Sequence, residues 1–176
     1  MPFILGILGI IAAAYFWSQR ARNAAAITQD LAGMASDVMN AARRFGFTRR
    51  ANQHAVDGVD DPSLAVAAVG IGFLELGGLP SREEQNALII SLQHQLGMDH
   101  AAADEAAILG RWLMTECGGA APGIDRVTRR LWKLQGAAGF QPLMQVLGDI
   151  GRANPRGLSD PQKEALAAIA RAFRLN

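Results

Sequence analysis

This sequence is poor in the residues that staple, stiffen or charge a small domain. It has one cysteine, Cys117, so no internal disulfide can form and a disulfide-built scaffold is excluded. Aromatic residues make up 6% of the chain, and β-branched residues are also sparse, which argues against an all-β fold. Charged residues make up only 19%, while half of the residues are hydrophobic, so the chain has enough apolar material for a packed core and is not disordered by composition. No strand-length alternating run occurs. No glycine-rich loop is followed by Lys and Ser/Thr, because Gly70, Gly72, Gly77 and Gly78 fall within or after a helical pattern. Alanine and leucine dominate instead, which favours helix.

Charge is unevenly placed. Residues 1–56 hold six arginines against Asp30 and Asp37, a net +4, while the remainder is net −3. A mildly acidic body argues against a nucleic-acid partner. A basic segment just after an apolar run suits an anionic membrane face. That run, Pro2 to Trp17, carries no charge over sixteen residues. As a helix it is about 24 Å long, against a hydrocarbon core of roughly 30 Å. Tyr15, Phe16 and Trp17 cluster where an aromatic belt would lie, and Arg20 and Arg22 can snorkel to headgroups. A cleaved signal would carry its positive charge before the apolar stretch, and here it follows. The expectation is a single-pass anchor over residues 1–19, N-terminus out and body in, in a bacterial inner membrane. Gly6, Gly9 and Ala13 fall near one helical face, where small residues let a second helix approach.

Residues 20–60 read as a basic amphipathic neck and linker. Ala24, Ile27, Leu31, Met34, Val38, Ala41 and Phe45 repeat at intervals of three and four, an a/d stripe. The stripe packs either on the chain's own body or on a partner, with Ile27, Leu31, Met34 and Val38 as the contact residues in the second case. The polar stretch from Arg49 to Pro62 is the best domain boundary.

Residues 61–176 read as six short amphipathic helices, giving an all-α chain. Asp61-Pro62 caps a helix to about Leu76, and Ser81 with Glu84 forms a capping box for one to about Leu96. Asp99 caps a third, which Gly118 and Gly119 stop. A fourth covers 122–135, with Ile124, Val127, Leu131 and Leu134 on its apolar stripe. A fifth runs from Gln141 to about Ala153, and Ser159 with Gln162 opens a sixth to Leu175.

The stretches "GGLPSREEQNALIISLQHQLGM" (Gly77 to Met98) and "PRGLSDPQKEALAAIARAFRL" (Pro155 to Leu175) share a plan: a Gly-Leu turn, a capping box, then a helix closing on an apolar pair. This plan, over residues 60–176, resembles the TerB-like helical domain. That is the tellurite-resistance family, which also supplies the N-terminal domain of membrane-anchored co-chaperones of the DjlA type. The resemblance implies a multi-helix bundle behind an anchor. The family's acidic Asp-Gly turn is replaced by Gly77-Gly78 and by Pro155-Arg156, so the divalent-metal role linked to those acids does not carry over residue by residue. Glu75, Glu84 and Asp149 stand nearby without ligand-like spacing. A J-domain His-Pro-Asp motif is absent from the sequence, so stimulation of an Hsp70 does not carry over either.

Catalytic candidates are weak. His94, His100 and Asp104 lack a third or fourth convergent ligand. Cys117 ends a helix, where a thiolate is disfavoured, and no base stands beside it in sequence. Glu83, Glu84, Asp104 and Glu105 suit the first turns of helices. The stronger surface feature is a basic ridge, Arg126, Arg129, Arg130 and Lys133, on the face opposite the apolar stripe, with Trp132 on its flank. The expectation is a non-catalytic membrane-anchored adaptor or accessory subunit of a larger membrane complex, or a homo-oligomer, with no cofactor, metal, nucleic acid or small-molecule substrate. The alternative is a TerB-like stress-response (tellurite or metal) sensor or co-chaperone-like module.

Overall fold

A computed structural model describes residues 36–47 and 53–174. These are all helix, turn and loop, with no strand among them. After a helical stretch over residues 36–44 come six helices: α1 (Pro62–Leu76), α2 (Arg82–Leu96), α3 (His100–Glu116), α4 (Ala120–Gln135), α5 (Phe140–Ala153) and α6 (Asp160–Arg174). Two single 3₁₀ turns, Ala55–Gly58 and Gly136–Gly139, precede α1 and α5.

α1 organises the rest. It lacks a polar face: all residues from Leu64 to Leu74 are buried. The expectation of an amphipathic helix is corrected here, because a helix that is apolar all round must be surrounded. α3 and α4 pack most extensively on it, and α5, α2 and α6 complete the enclosure. Each large apolar side chain buried on it, such as Leu64, Val69, Ile71 and Phe73, contributes roughly 1.5–3 kcal/mol. Small residues let the neighbours come close. A Cβ built on Gly72 would stand 2.8 Å from both Ile124 Cγ1 and Met114 Sδ, and one on Gly70 2.7 Å from Leu88 Cδ1. α2 also pairs with α5, and α4 with α6.

The ends of the helices follow local chemistry. Asp61 Oδ1 accepts from Ser63 N at 2.7 Å ahead of Pro62. Ser81 and Glu84 make the reciprocal capping box, Glu84 N to Ser81 Oγ at 3.1 Å and Ser81 N to Glu84 Oε2 at 2.8 Å. Gly97 closes α2 in the left-handed conformation, φ 67°, where a side chain would be strained. α4 begins at Ala120, two residues before the expected start, and its N-cap Gly119 supplies no side-chain bond.

The compact unit begins at Val38. Ala41 is fully buried, and Val38, Phe45 and Phe47 pack against the core. Phe47 meets Trp112 edge-on at 5.5 Å. Arg44 reaches α3, with Nη1 3.3 Å from Asp99 Oδ1 and Nε 2.7 Å from Glu105 Oε2. Ala55, Val56 and Val59, in the segment read from sequence as linker, are also buried in this core.

Candidate functional site

The basic face of α4 is the surface that the ridge pattern singles out. The helix turns Ile124, Val127 and Leu131 into the core, with Leu134 half-buried. Arg126, Arg129 and Lys133 therefore project outward and are exposed. With Arg130, Val56 and Asp57 they line a depression of about 330 Å³.

The four cations do not have one role. Arg130 turns back on the chain: its Nε donates to Val59 O at 2.7 Å, and its Nη2 to Asp60 Oδ1 at 2.6 Å. It ties the segment before α1 to α4, 70 residues away, and serves as wall rather than as free charge. Arg129 pairs with Asp125 one turn earlier. Arg126 and Lys133 have no ion pair among the described residues, and Asp57 lines the same depression. Trp132 is half-buried, edge-on to Phe173 at 5.4 Å, so this flank of the ridge is fixed to α6.

Several other sequence candidates have structural partners. Glu84 is buried within its capping box. Asp149 accepts from the buried Ser91 hydroxyl and pairs with Arg152, which joins α2 to α5. Glu105 faces Arg44. His94 is exposed. His100 lies 3.4 Å from Asp104 and 3.4 Å from Gln93 Nε2. Among the described residues no three His, Cys, Asp or Glu side chains come together. Cys117 is half-buried at the end of α3, and burial pushes its thiol up, against the pull of Arg126.

Glu75, at the end of α1, is also shifted. Burial raises its carboxyl above the ordinary value, and Arg111 on α3 offsets this in part. A raised folded value means that ionisation opposes folding. The cost is present above that raised value and vanishes below the unfolded value of ~4.3. Glu75→Gln is therefore expected to raise the urea midpoint at neutral pH, with the gain shrinking as pH falls toward ~4. A gain that grows on acidification would contradict this.

Val38 lies within the body's own packing. Gly6, Gly9, Ala13, Ile27, Leu31 and Met34 lie outside the described residues, as does the apolar stretch 2–17. No helix among the described residues is long and apolar enough to cross a membrane. Two surface grooves with mainly apolar walls were not foreseen. One, about 370 Å³, lies between α2 and α3 and is lined by Ile89, Ile108 and Arg111 among others. The other, about 320 Å³, lies between α4 and α6. The available signal for the second was the run of alanines on α6.

No family model, curated protein or solved structure matches the chain.

Proposed function

We propose that the chain is a non-catalytic, membrane-anchored adaptor or accessory subunit. Residues 1–19 hold it in a bacterial inner membrane, N-terminus outside. The TerB-like body, on the cytoplasmic side, docks onto a larger membrane protein complex. The observation that carries this reading is the exposed trio Arg126, Arg129 and Lys133 on one face of α4. It stands on a helix whose opposite face is locked into the core, and Arg130 fixes the adjoining wall. The backbone that carries these side chains is already fixed, so meeting an acidic partner costs only their rotamer freedom. The shared capping boxes that open α2 and α6 support the TerB-like reading of the body.

The test replaces Arg126, Arg129 and Lys133 with glutamate and leaves Arg130 in place, because its loss would free the segment before α1. These exposed positions are expected to change stability by at most about 0.5 kcal/mol each. After gentle extraction the unaltered full chain is expected to migrate in an assembly larger than a monomer, and the triple variant to fall out of it. Equal assembly size for the two, with both folded, would reject the α4 face as the docking surface.

A further inference from the structure

α2 and α3 form a surface of their own, on different helices from the basic face. The groove of about 370 Å³ between them has Leu88 and Ile89 on one side and Ala107 and Ile108 on the other, and the buried Ile71 and Leu74 of α1 close it. Only four large apolar side chains are markedly exposed among the described residues, and two of them stand here. Ile108 is 38% exposed on the groove wall, and Ile90 is 54% exposed, one turn after the groove residue Asn86. One exposed isoleucine is ordinary, but two beside an apolar groove mark a contact surface.

The charges of α3 say what covers it. Asp104, Ile108 and Arg111 lie at i, i+4 and i+7, on one exposed face of the helix. The two charges are of opposite sign and about 10 Å apart along the axis. Their midpoint falls between Ala107 and Ile108, at the apolar centre of the stripe. A second α3 laid antiparallel across this point sets Asp104 of each copy against Arg111 of the other, with Ile108 beside Ile108. The outer positions agree: His100 of one copy meets Thr115 of the other, and both are exposed. A two-fold interface requires a patch complementary to itself, and this stripe is one. Neither charge is strongly held within the chain. Asp104 has only the exposed His100, 3.4 Å away and one turn earlier. Arg111 has no ion pair among the described residues and acts only on the Glu75 charge.

We propose that the α2–α3 face is the interface of a homodimer, with two antiparallel α3 helices crossing at Ala107 and Ile108. Burial of the isoleucines and the groove drives association, and the Asp104–Arg111 pairs set direction and register. A 15-residue helix is about 22 Å long, so two helices about 10 Å apart offer roughly 440 Å² per copy. A standard interface takes about 800 Å² per partner, so the dimer is expected to dissociate on dilution. This face and the α4 face share no residue, so the failure of one reading leaves the other standing.

The test is disulfide cross-linking of the full chain, in membranes and in mild detergent, with Cys117→Ser and Ile108→Cys. Mild oxidation is expected to join two copies through the new thiols, whereas Ala167→Cys on α6, in place of Ile108→Cys, is expected to give about tenfold less dimer. Asp104→Arg or Arg111→Asp, each added to Ile108→Cys, opposes like charges at both ends and is expected to cut the yield about tenfold or more. Co-expression of those two variants is expected to restore it, because one chain then presents two arginines and the other two aspartates. No cross-link through Ile108→Cys, a cross-link only to a different protein, or a mixture no better than the single variants overturns the proposal. If Arg111→Asp fails to fold beside Glu75, Ile108→Cys with and without Asp104→Arg decides: an equal yield for the two overturns the proposal.

Discussion

Replacing Gly110 with leucine is expected to unfold or nearly unfold the body. Gly110 sits where α3 crosses α1. A Cβ built there would stand 2.9 Å from Ala68 Cα and 3.3 Å from Ala68 N. Those are backbone atoms, which cannot swing aside as a side-chain end can. α1 has nowhere to retreat, because α4 and α5 pack on it as well. Separation of the two helices would open the core around the fully buried Leu109, Leu113 and Val69. Alanine at this position gains about 1 kcal/mol in helix propensity but overpacks the crossing by about 1–3 kcal/mol, so a net loss is expected. Leucine is expected to lose more than about 4 kcal/mol, a large share of a typical stability of roughly 5–15 kcal/mol. The control is Gly148→Ala in α5, where a Cβ meets only Arg152 Nη1 at 3.8 Å. That variant is expected to be neutral or up to about 1 kcal/mol more stable. Denaturant midpoints check both. Equal midpoints for Gly110→Leu and the unaltered chain would show that the crossing is not close-packed as described.

The second large effect is expected at Gln162, which is buried yet polar. The last carbonyls of a helix lack intrahelical partners, and those of α1 end inside the bundle. The start of α6 supplies what they lack. Gln162 Nε2 donates to Phe73 O at 2.9 Å, and Ser159 Oγ donates to Leu76 O at 3.1 Å. The same two side chains cap their own helix, Ser159 N to Gln162 Oε1 at 3.0 Å and Gln162 N to Ser159 Oγ at 3.3 Å. Gln162→Leu keeps the bulk but strands the Phe73 carbonyl and the Ser159 N–H. The expected loss is about 2–4 kcal/mol, the summed cost of two unmade bonds. Adding Ser159→Ala to Gln162→Leu is expected to cost less than the two separate losses combined, because the residues form one network. Strict additivity in a double-mutant cycle would contradict a shared cap.

These two positions show what a sequence makes legible. The starts of α2 and α6 were readable from Ser81-Glu84 and Ser159-Gln162, because a capping box is chemistry within four residues. The double duty of Ser159 and Gln162 was not, since their second partners lie 83 and 89 residues away. Arg130 illustrates the same limit. Its spacing placed it with Arg126, Arg129 and Lys133 on a solvated ridge, and spacing cannot show that Val59 and Asp60 would take it. α4 starts at Ala120, ahead of the expected 122, and Pro122 still falls in its first turn, where a missing N–H costs nothing. Val56 and Val59 read as linker because Asp and Gly surround them, and only tertiary packing buries them. The α4–α6 groove was hidden for another reason: alanine in a helix reads as helix propensity, and whether it also leaves space depends on what faces it.

The adaptor reading requires the apolar N-terminus to sit in lipid with the body on the cytoplasmic side. The most direct measurement combines alkaline carbonate extraction of bacterial membranes with protease added to intact spheroplasts. The account predicts that the full-length chain stays with the membrane pellet, and that the body resists protease until the spheroplasts are permeabilised. Release of the intact chain into the soluble fraction, or digestion of the body in sealed spheroplasts, would contradict it.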